Sequence, residues 1–235
     1  MNAAWMVPAC LGLMTRKTPF HLVELGAGTG LRLIADYLKR DVLYSEEGEV
    51  LPGPEQYGDI PYPILSRTGI DSSRLLSSDR LFVKLRQEPS GPKLHRGEPA
   101  DMPRLVASLA PQRSDEGILI FSFSLTHKLN DKQYEEFKEG MRETLKPWGD
   151  AGFWVELEWP RGRREEPRQL LVHRVIDGEL KSAALAGIDP KTDRFILRKG
   201  WNFLQPTVPV RAPRFTFEEP PKQMEPGIYK GPGKV

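Results

Sequence analysis

Apolar positions along this chain change period repeatedly, from continuous runs to helical spacing and back, and the changes mark its elements. His21 to Leu25 read as a short buried strand, and Leu31, Ile34, Ala35 and Leu38 follow at i, i+3, i+4 and i+7, one face of an amphipathic helix. DVLYSEEGEVLPG then places two short apolar runs around a Glu-Gly turn, which predicts an inserted hairpin over about residues 41–63 together with the Pro- and Gly-rich loop behind it. ILSRTGIDSSRL predicts a helical turn leading to a short strand that ends near Asp71, and DRLFVKLRQEP fits either a strand or a helix start. ADMPRLVASLA sets Met102, Leu105, Val106 and Leu109 on one helical face, and GILIFSFSL is apolar enough for a central parallel strand. NDKQYEEFKEGMRETLK has Asn130 or Asp131 as N-cap, acids in its first turns, Tyr134, Phe137 and Met141 inward, and Lys146 before Pro147 at its end.

From Phe153 the period becomes two. Phe153, Val155, Leu157 and Trp159 share one side of FWVELEWP, so Glu156 and Glu158, with His173 of the next run, are expected on the solvent face of a half-exposed sheet. Asp177-Gly178 between two apolar runs predicts a β-hairpin. The pattern implies an α/β fold, a Rossmann-like sheet that is mostly parallel and finishes with antiparallel strands at its C-terminal end. Residues 1–19 form an N-terminal helical segment, 20–204 the α/β domain, and 205–235 a Pro-rich extended or disordered tail whose deletion should cost little stability.

Composition narrows the function classes. The 34 Lys and Arg balance 32 Asp and Glu, which gives no basic surface that would imply nucleic acid. Cys10 is the single cysteine, so an internal disulfide is excluded; no Cys/His cluster offers a metal site, and a reducing cytoplasm follows. Residues 3–14 are apolar, yet no positive region precedes them, Pro8 interrupts them, and Arg16 and Lys17 lie on the wrong side for a secretory signal. No stretch reaches the roughly 18 apolar residues that span a bilayer.

The break between the first strand and helix carries the chemistry. Glu24, Gly26, Gly28 and Gly30 form Glu-x-Gly-x-Gly-x-Gly, in which glycine allows positive φ, removes a Cβ that would meet a ligand, and brings amides to a helix start. The third glycine falls one residue early for the dinucleotide G-x-G-x-x-G, and the Gly-Lys-Ser/Thr of a P-loop is absent. The spacing instead resembles the first motif of class I S-adenosylmethionine-dependent methyltransferases, where the acid lies near the amino-acid portion of the cofactor. In their order, HLVELGAGTGLRLIADYL, the hairpin insertion, RTGIDSSRLLSSDRLFVKLR and ILIFSFSLTHKL resemble the bacterial family catalogued as domain of unknown function 2332, over roughly residues 20–204. That resemblance implies a methyltransferase-type core. Members more often carry Ser-Ala in the glycine turn, and a His-Ser pair where this chain has Ser122 or Phe123; their long helical N-terminal region is largely missing here, which implies a shortened version.

A nucleoside cofactor needs an acid for its ribose hydroxyls at the end of the second strand. Plain spacing offers Glu46; the resemblance makes that segment an insertion and favours Asp71, whose bland alternative is to cap the turn after it. His127, just past ILIFSFSL, is the best-placed general base, against the common role of a cap or surface residue. Cys10 reads as packing, Ser122 and Ser124 lack a G-x-S-x-G elbow, and RGRREEPR is a solvated loop able to guide an acidic substrate. The expectation is a domain that binds S-adenosylmethionine and methylates a small molecule or a protein. Its rivals are a noncatalytic binding or scaffold domain with the same fold, and other nucleotide-dependent chemistry on such a sheet.

Overall fold

The sheet order follows from which strands are apolar on both faces and which on one. The computed structural model of the protein describes residues 19–30, 33–34, 43–44, 50–51, 64–72, 80–89, 91–108, 114–163, 166–188 and 195–197, all of them within one compact unit, Met1–Gln205. Its strands are β1 (Phe20–Leu25), β2 (Leu43–Tyr44), β3 (Val50–Leu51), β4 (Ile64–Asp71), β5 (Pro92–Arg96), β6 (Gly117–Phe123), β7 (Gly152–Glu158), β8 (Gln169–Ile176), β9 (Glu179–Ile188) and β10 (Phe195–Leu197). The helices are α1 (Arg80–Leu85), α2 (Met102–Ala107) and α3 (Asp131–Leu145).

The strands form one sheet in the order β3-β2-β10-β9-β8-β7-β6-β1-β4-β5. β5, β4, β1, β6 and β7 are mutually parallel, and β8 and β9 add antiparallel strands beyond β7. The fold is thus the Rossmann-like α/β sheet with antiparallel strands at its C-terminal end that the pattern implies. Within the parallel block the chain runs outward from β1 to β4 and β5, then returns to the other side of β1 for β6 and β7. That reversal makes a topological switch point between β1 and β6, and ligands of open α/β sheets bind there, outside the carboxyl ends of the strands.

Local chemistry explains the elements. Asn130 caps α3: its side chain accepts from the Gln133 amide, while the Gln133 side chain accepts from the Asn130 amide, a reciprocal capping box. Phe137, Met141 and Leu145 of α3 and Met102 and Val106 of α2 cover Val23, Leu25, Ile118, Ile120 and Trp154 of the sheet. Asp177 and Gly178 both take positive φ, 53° and 79°, in the two-residue turn joining β8 to β9.

One expectation is corrected and one open choice decided. No helical turn precedes Asp71: Ile64 to Asp71 is strand throughout, and its polar Arg67 is buried with its guanidinium donating to the Leu33 carbonyl. DRLFVKLRQEP resolves into helix α1. The pattern also passed over β5, whose Lys93, His95 and Arg96 are exposed, as suits an edge strand that starts on proline. Residues 1–18, with Cys10, Leu31, Ala35 and Leu38 of the first helical face, Glu46, Leu109 and residues 198–235 lie outside the described residues. Among the described residues no helix is long and apolar enough to cross a membrane.

Gly69 of β4 is where the glycine turn and α/β packing converge. A Cβ there would lie 2.4 Å from Leu94 Cδ2, 2.8 Å from Ala27 Cβ and 3.0 Å from Leu33 Cδ1. The Ala27 contact is too short and too close to backbone to relax freely. Gly69→Ala is therefore expected to lower stability by about 1–3 kcal/mol through overpacking, measured by chemical denaturation; an unchanged midpoint would show that the turn has room to give.

Candidate functional site

Three glycines at alternate positions leave β1, and their neighbours divide the work among them. Gly26, Gly28 and Gly30 take φ of 71°, 54° and 77°, the left-handed region that glycine enters without a Cβ penalty. A Cβ on Gly30 would meet Leu94 at 2.9 Å and Phe82 at 3.0 Å, so this glycine serves packing. At Gly28 nothing lies within 4 Å of that position, so this glycine opens onto space. Backbone bonds tie the turn to the neighbouring strand, with Gly26 N and Ala27 N both donating to the Ile70 carbonyl at 2.8 and 3.2 Å.

Asp71, the last residue of β4, completes the turn: its Oδ2 accepts from the Gly28 amide at 3.0 Å. β4 is the strand beside β1, in parallel register with Leu25 opposite Ile70. Glu24 lies fully buried in β1, one residue before the turn region. The sequence-derived set Glu24, Gly26, Gly28, Gly30 and Asp71 is thus gathered at the carboxyl ends of two adjacent strands, on one side of the switch point.

The loop after β6 forms the other side. Leu125 reaches the glycine turn, its Cδ1 lying 3.3 Å from where a Gly26 Cβ would be. Ser124 takes a positive φ of 51° and donates its amide to the Leu157 carbonyl. Two carboxylates of β7 hold the next stretch of this loop. Glu158 Oε1 accepts from the amides of Leu125 and Thr126 at 2.5 and 2.8 Å, and Glu156 Oε2 accepts from the Thr126 hydroxyl at 3.1 Å. Arg161, on the loop beyond β7, donates to the carbonyls of Thr126 and Leu129 and pairs with Asp131. His127 thereby has its Nδ1 3.5 Å from Glu158 Oε2, its ring edge-on to Trp159, and a quarter of its side chain exposed.

Glu156, Glu158 and His173 correct the expectation of a solvent face: their exposures are 1%, 4% and 2%. Helix α3 covers that face, with Phe137 edge-on to Trp154. Glu156 Oε1 accepts from the Tyr134 hydroxyl and contacts His173 Nε2, each at 3.1 Å, while His173 stacks on Trp154 and its Nδ1 lies 2.6 Å from Ser182 Oγ. Burial, then the Glu156 charge, push the Tyr134 hydroxyl well above its ordinary range, which keeps it a donor. Burial also lifts the Glu158 carboxyl to about 7, against the lowering effect of its two backbone amides. The missed signal was Trp154, which shares a strand face with both acids and does not belong on a solvated one.

The Glu158 shift fixes the sign of a pH effect. Its folded value of about 7 stands above the ordinary 4.5, so between these the folded state holds a proton that the unfolded state releases, and stability falls as pH rises through that window. Tyr134, Glu156, His173, His127 and Arg161 share the neighbourhood. Glu158→Gln keeps an oxygen for the two amides and cannot ionise. Thermal melts across the pH range should show the variant gaining on the wild type from pH ~5 to ~8, by at most about 3 kcal/mol. A difference that stays flat with pH would contradict the buried ionisation.

No family model and no curated protein matches the chain. Among solved structures it is similar to one concerned with conversion of a disulfide bond into a thioacetal group during echinomycin biosynthesis, at TM-score 0.38 and 13% identity over 69% of this chain, which spans about half (51%) of the length of that one. It is similar to the methyltransferase domain of bacterial CtHen1-CN, at TM-score 0.40 and 13% identity over 74% of this chain and 90% of that one. It is similar also to an S-adenosylmethionine-bound amino pentose methyltransferase from Micromonospora echinaspora, at TM-score 0.36 and 13% identity over 78% of this chain and 75% of that one. The fold assignment stands on the strand order and directions given above, and the likeness to the domain-of-unknown-function family stands on the quoted residues alone.

Proposed function

We propose that the crevice at the carboxyl ends of β1 and β4 binds S-adenosylmethionine, and that the protein is a methyltransferase acting on a small-molecule or protein acceptor. One observation carries the reading: the Asp71 carboxylate is docked on the Gly28 amide beside a glycine whose absent Cβ leaves open space. That is the pairing a nucleoside cofactor requires, a bare backbone surface to pass against and an acid at the end of the next strand to accept from its ribose hydroxyls. The residues therefore fit the cofactor. Gly28 would line its path, Asp71 would accept from the ribose, and the buried Glu24 would set the charge under the turn near the amino-acid portion. When bound, the cofactor supplies a methyl group activated on sulfonium sulfur. The chain's part is to hold it in line with the acceptor, which is where most of the rate of such a transfer arises.

Calorimetric titration with S-adenosylmethionine and S-adenosylhomocysteine, with NAD and ATP as controls, tests the assignment directly; absence of binding by both sulfur nucleosides at millimolar concentration removes it. Gly28→Val should leave the fold mostly intact, at a cost in stability because φ of 54° disfavours a β-branched residue, and should abolish S-adenosylhomocysteine binding by filling the path, with circular dichroism confirming that the variant is folded. Wild-type affinity in that variant would put the ligand elsewhere. Asp71→Ala is expected to weaken binding by about 10- to 150-fold, the loss of charge-assisted hydrogen bonds of roughly 1.5–3 kcal/mol. Asp71→Asn keeps an oxygen for the Gly28 amide and separates the two roles: weak binding by both variants indicates the ribose acid, whereas full affinity in the Asn variant reduces Asp71 to a turn cap.

A further inference from the structure

Taking the cofactor assignment as its basis, we infer that His127 is the proton acceptor of the site and that Glu158 positions its ring, so that the methyl acceptor is a group that arrives carrying a proton, a hydroxyl or an ammonium. The ring sits on the loop after β6, the strand that shares the switch point with β1, where ligands of such sheets bind. That loop is tied at both ends: two amides rest on Glu158, the Thr126 hydroxyl on Glu156, and two carbonyls on Arg161. A side chain held on so constrained a backbone is preorganised, the condition for useful proton transfer.

The second carboxylate oxygen of Glu158 lies 3.5 Å from His127 Nδ1, with Glu158 only 5% exposed and His127 25% exposed. A buried carboxylate on one ring nitrogen favours the tautomer protonated there, leaves Nε2 as the basic nitrogen, and stabilises the imidazolium once formed. The remaining groups around the pair are committed elsewhere. Glu156 already serves Thr126, Tyr134 and His173, the Tyr134 hydroxyl is held as a donor, and Arg161 is paired with Asp131. Asp131 on α3 and Lys128 on the loop itself also carry charge here.

In the step, the acceptor's lone pair forms the new bond to the methyl carbon and the electrons of the old carbon–sulfur bond remain on sulfur. From an ammonium the proton passes to His127 first, which frees the lone pair that attacks; from a hydroxyl it passes as the oxygen–carbon bond forms; in both cases it then leaves through the exposed part of the ring. An acceptor already deprotonated at neutral pH, such as an aromatic thiolate, has no use for the pair.

The test uses the full-length protein. If calorimetry shows no S-adenosylhomocysteine binding, the cofactor reading and this one fall together. Where it binds, NMR of the histidine ring nitrogens should show the His127 signals displaced by S-adenosylhomocysteine and its pKa lowered by about one unit in Glu158→Gln, with the exposed His95 unchanged as the internal reference. Methyl transfer from labelled S-adenosylmethionine to tyramine, which offers both a phenol and an ammonium, should fall about 100-fold or more in His127→Asn, and its pH profile should move with the ring pKa in Glu158→Gln. Transfer to thiophenol should not depend on His127. An unmoved His127 ring with ligand bound, a ring pKa unchanged in Glu158→Gln, or tyramine transfer that survives His127→Asn or is absent in the wild type would overturn the base assignment while leaving the cofactor reading in place.

Discussion

Two carboxylates two residues apart on β7 are withdrawn almost wholly from water, a cost of several kcal/mol per charge unless hydrogen bonds replace the lost solvation. They are replaced locally. Glu158 takes two amides from the loop after β6, and Glu156 takes hydroxyls from that loop and from α3 and faces an imidazole of β8. The loop, the helix and three strands are therefore held in one polar network. Removing one partner would leave another's charge buried and uncompensated, so the position of the loop is fixed by the penalty for leaving it.

On the other side of the switch point the tie is lighter. The Asp71 carboxylate joins the glycine turn to the next strand, and backbone bonds from Gly26 and Ala27 to Ile70 add to it. The glycine-turn side of the switch point is thus mostly backbone, whereas the loop after β6 on its other side carries His127 beside the buried Glu158.

The legibility of these features in the sequence tracks their physics. GILIFSF was readable because a strand buried on both faces leaves a continuous apolar run, and Asn130 with Gln133 because capping is local. The glycine turn was readable by spacing; Asp71 was reached only through the family resemblance, since plain spacing points to Glu46. β5 was not readable, because an edge strand turns few positions inward, here Pro92 and Leu94, and gives Lys93, His95 and Arg96 to water. Glu156 and Glu158 misled because alternation reports only which residues share a face. Whether that face is wet depends on whether a helix lands on it, and α3 does, from outside the window in which the alternation is seen. The strand before Asp71 misled in a similar way, since Arg67 looks like a surface residue until its guanidinium finds a carbonyl more than thirty positions away.

The central place of β1 has a consequence for how the protein is made. β1 is the first described strand to leave the ribosome, yet its two neighbours come from Ile64–Asp71 and Gly117–Phe123. While the chain is being extended, β1 can pair with β4, and β4 with β5, well before β6 exists, and that half-sheet presents the apolar, hydrogen-bond-hungry edge of β1 to the cell. Such an edge is a template for pairing with another nascent chain. The same reversal that creates the switch point leaves what becomes the middle of the finished sheet as an open border until β6 is made.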